Sequence, residues 1–277
     1  MHIIYSEDDM QHNFMFNRRL VLENRDAFEN IALFDNLICQ CFLENIILDF
    51  SSVSWIEGEL CCLLRAIMNK GMLQGNSFFY IPPINNKVDE IFRKNGFISL
   101  EKEDTNNTVV KCKQFSNSDI VSFIDYISLE LFDTNKFPYS VVIKENCKEC
   151  LAELFDNAAS HSGTSSIFTC GQYFPNKHEL AFCITDIGVG IVNKVQDYDK
   201  RISRKDAIKW AFQNNNTTKS DVGGLGLKLF RDFVQKNNGS IVVFSDNIVY
   251  KVLEDSAFMT EKPFKGTSII FKLKIDK

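Results

Sequence analysis

A carboxylate at Glu153 and an amide at Asn157 stand four residues apart in the stretch ELFDNAASHSG, residues 153–163. The surrounding apolar residues Cys147, Leu151, Leu154, Phe155 and Ala158 recur at helical spacing, so one face of this segment belongs to a core. Glu149, Glu153, Asn157 and His161 then share a separate stripe. An amide oxygen can ligate Mg²⁺, a hard cation that takes oxygen donors. A carboxylate one turn away can accept a proton from a nucleophile attacking a phosphate. A solvated helix face would show the same stripe, but Ala158, Ala159 and Ser160 beside it are small and let another group come close.

Two glycine motifs lie downstream. LAFCITDIGVGI reads as a strand over 180–185 ending in Asp186, with Gly188 and Gly190 following. Glycine permits sharp turns and close backbone approach to a flat ligand, and a buried aspartate can accept a hydrogen bond from an exocyclic amine. By itself this pattern is also an ordinary turn. DVGGLGLKLFRDFVQKNNGS opens a helix with Gly223, Gly224 and Gly226, carries core positions Leu227, Phe230, Phe233 and Val234, and stops at Gly239. A glycine-rich helix N-terminus offers free N–H groups and partial positive charge to an anion. There is no G-x-x-x-x-G-K-[ST] and no G-x-G-x-x-G, which argues against a P-loop and a dinucleotide fold. GTSIIFKLKI, residues 266–275, alternates like a half-buried strand, and Thr267 puts a hydroxyl at its start.

The elements that must position these residues fall into two blocks, as 277 residues suggest. NIILDFSSVSW reads as a buried strand, EGELCCLLRAIMNKG as a helix stopping at Gly71, NSFFYIPP as a strand, and NKVDEIFRKNGF as a helix stopping at Gly96. That order implies a mostly parallel α/β layer. Polar residues 101–119 form a junction, with VVKC as an edge strand, and a helix DIVSFIDYISLELF leads into the second block. We place the domains at 1–112 and 113–277.

A net charge of −5 without a basic block disfavours nucleic acid as a partner. No apolar run is long enough to cross a bilayer, and the start MHIIYSEDDMQHNF lacks a signal-peptide pattern. A cytoplasmic protein is expected. Nine scattered cysteines fit a reducing compartment. Cys147 and Cys150 form a CxxC inside a helix, with no second CxxC or His pair to complete a zinc site, and packing explains them, as it does Cys61 and Cys62.

Glu153-x-x-x-Asn157, Asp186-x-Gly188-x-Gly190, Gly224-x-Gly226-Leu227 and Gly266-Thr267, in that order, resemble the N, G1, G2 and terminal threonine boxes of the GHKL superfamily. That group holds gyrase-type ATPases, heat-shock chaperones, mismatch-repair ATPases, histidine kinases and anti-sigma-factor serine kinases. The resemblance covers about 115–277 and implies an α/β sandwich, a mixed sheet with helices on one face. It implies ATP and Mg²⁺ as cofactors. Asn157 would hold the Mg²⁺, Asp186 would meet the adenine amino group with Thr267 assisting through water, and Gly188 and Gly190 would shape the adenine side. Gly224, Gly226 and the Leu227 N–H would meet phosphates. About 192–222 would be a lid, with Lys219 a candidate phosphate contact or a solvated loop lysine. His161 is a phosphate neighbour or a backbone-satisfied helix end. The first block, IILDFSSVSWIEGELCCLLRAIMNKG, resembles the strand, loop and helix of STAS domains. Glu57-Gly58-Glu59-Leu60 stands where those often carry a phosphorylatable serine, so a phosphoswitch there is not expected.

Glu153 narrows the implied activity. Histidine kinases of the superfamily usually lack this acid, and His2, His12, His161 and His178 supply no phosphoacceptor hairpin. ATPases and serine kinases carry it. Glu153 would activate water in a slow ATPase whose nucleotide state controls lid and partner contacts, or a serine hydroxyl in a kinase acting on a partner protein. A nucleotide-gated module without turnover is the third reading. A regulatory protein partner and a nucleotide-dependent homodimer both accord with the resemblance.

Overall fold

The computed structural model describes residues 11–98, 102–132, 140–213, 216 and 226–274. The first block contains β1 (Gln11–Met15), β2 (Arg19–Leu20), α1 (Arg25–Ile38), β3 (Asn45–Asp49), β4 (Trp55–Ile56), α2 (Cys61–Leu73), β5 (Ser77–Ile81) and α3 (Asn86–Lys94). β1, β3 and β5 form a parallel sheet in that order, as the alternation of strand and helix predicts, and β2 pairs with β4 beside it. Asparagine side chains start two of the helices: Asn24 accepts from the Asp26 N–H and Asn85 from the Lys87 N–H.

One expected stop moves. α2 runs past Gly71 to Leu73, and the left-handed residue is Gly75 at φ +82°. Gly71 faces the ring of Phe78, which a Cβ there would meet at 2.6 Å, so this glycine serves packing rather than termination.

The second block contains β6 (Val109–Ser116), α4 (Ile120–Ile127), α5 (Val141–His161), β7 (Ser166–Phe174), β8 (Glu179–Asp186), α6 (Ile191–Tyr198), α7 (Arg204–Ala211), α8 (Gly226–Lys236), β9 (Ser240–Lys251) and β10 (Ser256–Lys274). α4 continues as a π-helical turn over Ser128–Phe132. The strands order β6-β7-β8-β10-β9, and every pairing is antiparallel; short turns join β7 to β8 and β9 to β10. The mixed sheet expected for this block is therefore antiparallel among the described strands, and the parallel pairs belong to the first block. β6 also runs across the expected boundary at 112/113.

Helices cover one face of this sheet, with Phe123, Leu151, Phe155, Ile208, Phe230 and Val234 packed against strand residues such as Phe182 and Phe271. The first block covers the opposite face. α1 lies along β10, and α2 lies on β7 and β8. Phe28 meets Phe244 edge to face, with ring centroids 5.4 Å apart, within a core shared by both blocks. All eight residues of β8 are buried, and Gly266 to Leu273 of β10 are buried except Thr267. The half-buried strand predicted from alternation at 266–275 is thus covered on both faces. Its alternate residues Ser268 and Lys272 point to a second protein layer instead of water.

That second layer holds charge. Lys272 Nζ lies 2.6 Å from Glu57 Oε1 and 3.7 Å from Glu59 Oε1. Glu57 Oε2 also accepts from the Leu22 N–H at 2.7 Å. Glu59 is fully buried and neither of its oxygens has a hydrogen-bond donor. Burial, reinforced by Glu57, pushes its carboxyl up to about 7 against the pull of Lys272. A folded-state pKa above the unfolded one penalises the native state as the group ionises, from near its unfolded value upward. Glu59→Gln removes that penalty. Urea unfolding is expected to show Glu59→Gln more stable than the wild type at pH 8, a gain that shrinks to nothing near pH 4.

Candidate nucleotide site

α5 carries the acid and the amide. Its N-terminus is capped by Ser140, whose side chain accepts from the Ile143 N–H. Over its last three turns Glu153 is exposed and Asn157 half-buried, on the side away from Leu151, Leu154 and Phe155. The helix closes on Ser162, whose hydroxyl donates to the Ala158 carbonyl at 2.5 Å.

The loop after β8 is pressed against that closing turn. The Val189 N–H donates to the Ser162 carbonyl at 2.7 Å. A Cβ on Gly188 would sit 2.0 Å from the same carbonyl oxygen, so only glycine allows the loop to lie flat there. Gly190 takes φ +84°, and a Cβ on it would meet the Gly266 carbonyl and the Ser245 hydroxyl, each at 2.7 Å. Ser245 Oγ donates to the Gly266 carbonyl at 2.7 Å, tying the start of the buried part of β10 to β9.

Asp186 and Thr267 are directly paired across β8 and β10. Asp186 is buried, and its Oδ1 accepts from the Gly188 N–H at 2.9 Å. Burial pushes its carboxyl up to about 7, while backbone hydrogen bonds from Gly188 and Thr267 work against the rise. Thr267 Oγ1 accepts from the Ile191 N–H at 3.0 Å, at the first turn of α6, and keeps a donor proton to offer.

α8 starts at Gly226, directly over α5. A Cβ on Gly226 would lie 2.7 Å from Glu153 Oε2 and 3.6 Å from Asn157 Nδ2. The first-turn N–H groups of α8, Leu227 among them, lack partners within their own helix. Gly226 of α8 thus meets Glu153 and Asn157 of α5, while the β8–α6 loop meets the end of α5 at Gly188 and the start of the buried part of β10 at Gly190, beside the Asp186–Thr267 pair. The oxygen donors of Asn157 and Glu153 suit a hard divalent cation, and the α8 N-terminus suits an anion. Lys219 and Gly224, with the side chain of His161, lie outside the described residues. So does most of 214–225. The earlier part of the expected lid is ordered core: α6 and α7 bury Val192, Val195, Ala207 and Ile208.

Residues 144–277 match the family described as "Histidine kinase-, DNA gyrase B-, and HSP90-like ATPase". Residues 144–277 are a GHKL ATP-binding domain. No curated protein matches the chain. Among solved structures the chain is similar to "Mycobacterial sensor histidine kinase MprB", at 17% identity and a TM-score of 0.29, over 58% of this chain and 95% of that one.

Sequence reasoning passed over Ser162 and Ser245. Ser162, just before Gly163, has the signature of a helix end. Ser245 leaves no signal, because its partner is 21 residues away. The GHKL domain's glycines separate into two kinds. The obstacle at Gly188 is backbone, so Gly188→Ala is expected to destabilise by about 2 kcal/mol or more. The nearest atom at Gly226 ends a flexible, exposed side chain, so Gly226→Ala is expected to stay within about 0.5 kcal/mol. Denaturant unfolding of both variants checks the contrast.

Proposed function

We propose that the GHKL domain binds ATP with Mg²⁺ and hydrolyses it slowly, with nucleotide state controlling a lid at about 192–222 and contacts to a regulatory protein partner. The observation that carries this reading is the approach of Gly226 to Glu153 and Asn157, which sets a helix N-terminus opposite a carboxylate and an amide. Phosphates would lie on the α8 N–H groups, and Asn157 would hold the metal. When bound, Mg²⁺ supplies charge neutralisation to the phosphates in an in-line transfer. Glu153 would take the proton from the attacking water. Asp186, buried and flanked by glycine backbone, would accept the adenine amino hydrogen. Thr267 would add a water-mediated contact, and His161, Lys219 and Gly224 would border the phosphates.

A second reading has its own support. Glu153 is exposed, so the hydroxyl of a serine on another protein could reach it as readily as water. A serine/threonine kinase acting on a partner would use the same residues.

We read the first block as STAS-like and regulatory. Its parallel sheet and flanking helices accord with that. Glu57 and Glu59, at the position where such domains often present a phosphorylatable serine, are turned into the interface with Lys272. A surface facing inward in this way fits intramolecular docking better than a phosphoswitch. Among the described residues no helix is long and apolar enough to cross a membrane, and we place the protein in the cytoplasm.

Calorimetric titration with ATP and Mg²⁺, followed by product analysis, tests the reading. Asp186→Ala is expected to weaken ATP binding roughly tenfold to a hundredfold, from loss of a hydrogen bond to a charged group. Glu153→Ala is expected to keep affinity and lose ADP release. Unchanged ADP release in Glu153→Ala would overturn the catalytic role, and unchanged affinity in Asp186→Ala would overturn the adenine site. Since the carboxyl of Asp186 ionises near 7, affinity is expected to climb between pH 6 and 8 more steeply in the wild type than in Asp186→Asn. ATP's own ionisation affects both proteins alike, so the difference between their pH profiles is the readout.

A further inference from the structure

Outside the nucleotide site, among the described residues, one group of metal-ligating side chains converges at the amino-terminal end of the parallel sheet. His12 comes from β1, Cys41 from the turn after α1, and Glu44 from the residue before β3. His12 Nε2, Cys41 Sγ and a Glu44 carboxylate oxygen all lie within 4.8 Å of one another. Cys41 is 1% exposed, and the Glu44 side chain is largely covered. His12 is 41% exposed and leaves one side open to solvent.

Two features distinguish this cluster from an incidental ion pair. The first is its support. Asn76, itself buried, accepts from the Glu44 N–H at 3.0 Å and donates to the Cys41 carbonyl at 2.9 Å. The Ser77 N–H donates to the Glu44 carbonyl at 2.9 Å, and Leu43 between the two ligands is held at φ +57°. The loop carrying two of the ligands is therefore fixed by groups that do not themselves ligate, which is how a preorganised metal site is supported. The second feature is a directional mismatch. Glu44 Oε2 lies 2.6 Å from His12 Nε2, yet it is buried without an aligned hydrogen bond. His12 Nε2 and Glu44 Oε2 are thus close to each other without a hydrogen bond between them.

We propose that His12, Cys41 and Glu44 bind one Zn²⁺, with water in the fourth position. Thiolate, imidazole and carboxylate together suit zinc and not Mg²⁺ or Ca²⁺, which take oxygen donors. A tetrahedral ion with these ligands spaces them roughly 3.3–3.8 Å apart, within reach of small side-chain rotations from the positions seen. Without metal the Cys41 thiol is protonated. On binding, the Cys41 S–H bond breaks, the sulfur forms a bond to zinc, and the proton leaves to solvent. Neutral His12 contributes its Nε2 lone pair. Thiolate and carboxylate then balance the ion's charge, and the bound ion clips β1 to the α1–β3 turn.

The test uses the full chain, stripped of metal and titrated with Zn²⁺ and, as a spectroscopic probe, Co²⁺. The expected result is one zinc per chain, about one proton released per ion at pH 7, and a near-ultraviolet thiolate-to-cobalt band. Cys41→Ser should abolish the band, and both Cys41→Ser and His12→Ala should weaken zinc at least tenfold. Zinc should raise the melting temperature of the wild type and leave that of either variant unchanged. His12→Ala alters a ring that is partly in solvent, so it remains informative if Cys41→Ser fails to fold. Absence of stoichiometric zinc, absence of the thiolate band, or equal affinity in His12→Ala would overturn the proposal and leave the three groups as a hydrogen-bonding cluster.

Discussion

The antiparallel pairing of β8 with β10 is the constraint from which the rest follows. In that register Asp186 stands opposite Thr267. It is also the register that sends Phe182, Phe271 and Leu273 to the helical layer and Cys183 and Ile270 to the first block. A slip of one residue would exchange the two faces of β10, setting Ser268 and Lys272 against the helices and separating the acid from the hydroxyl. The placement of Asp186 opposite Thr267 and the burial of both sheet faces are one fact seen twice.

Around this pair the site is assembled by close backbone approach. Gly188 lets the loop after β8 rest on the carbonyl that ends α5, Gly190 and Gly266 let that loop meet the start of the buried part of β10, and Gly226 lets α8 stand over Glu153 and Asn157. Small residues are needed because the site is a junction of four main-chain segments, not a pocket in a side-chain core. Polar groups at the junction are paired locally. Ser162 accepts the Val189 N–H at its carbonyl and Ser245 donates to the Gly266 carbonyl, which fixes the loop and the start of the buried part of β10 in place.

The first block is built into the same body. α1 runs along β10, and Glu261 and Lys265 donate their backbone N–H groups to Glu29 and Asp35 of that helix. Covering the second face of the sheet removes strand residues from water, but it also encloses Lys272, Glu57 and Glu59. Removing charges from water is costly unless they are paired, and Glu59 has no hydrogen-bond donor to compensate. The interface thus combines a large apolar contact with one unfavourable charge, an arrangement that makes the union of the blocks sensitive to protonation.

What the sequence by itself determined was local. The helical spacing through Cys147 to Ala158, the apolar runs of β3, β5 and β8, and the order of four short motifs identified these elements and the GHKL domain, because each depends on neighbours within a few positions. The first block's parallel layer was legible for the same reason. Three features were decided only by the tertiary structure. Gly71 looks like a helix stop in one dimension and is a packing glycine against Phe78 in three. Alternation at 266–275 marks a strand with one wet face, and the second layer turned that face inward. His12, Cys41 and Glu44 share no motif spacing and meet because parallel pairing places β1 beside β3. Local pattern specifies which element forms and which residues lie on each face. What each face meets depends on long-range packing, whose partners lie dozens or hundreds of residues away.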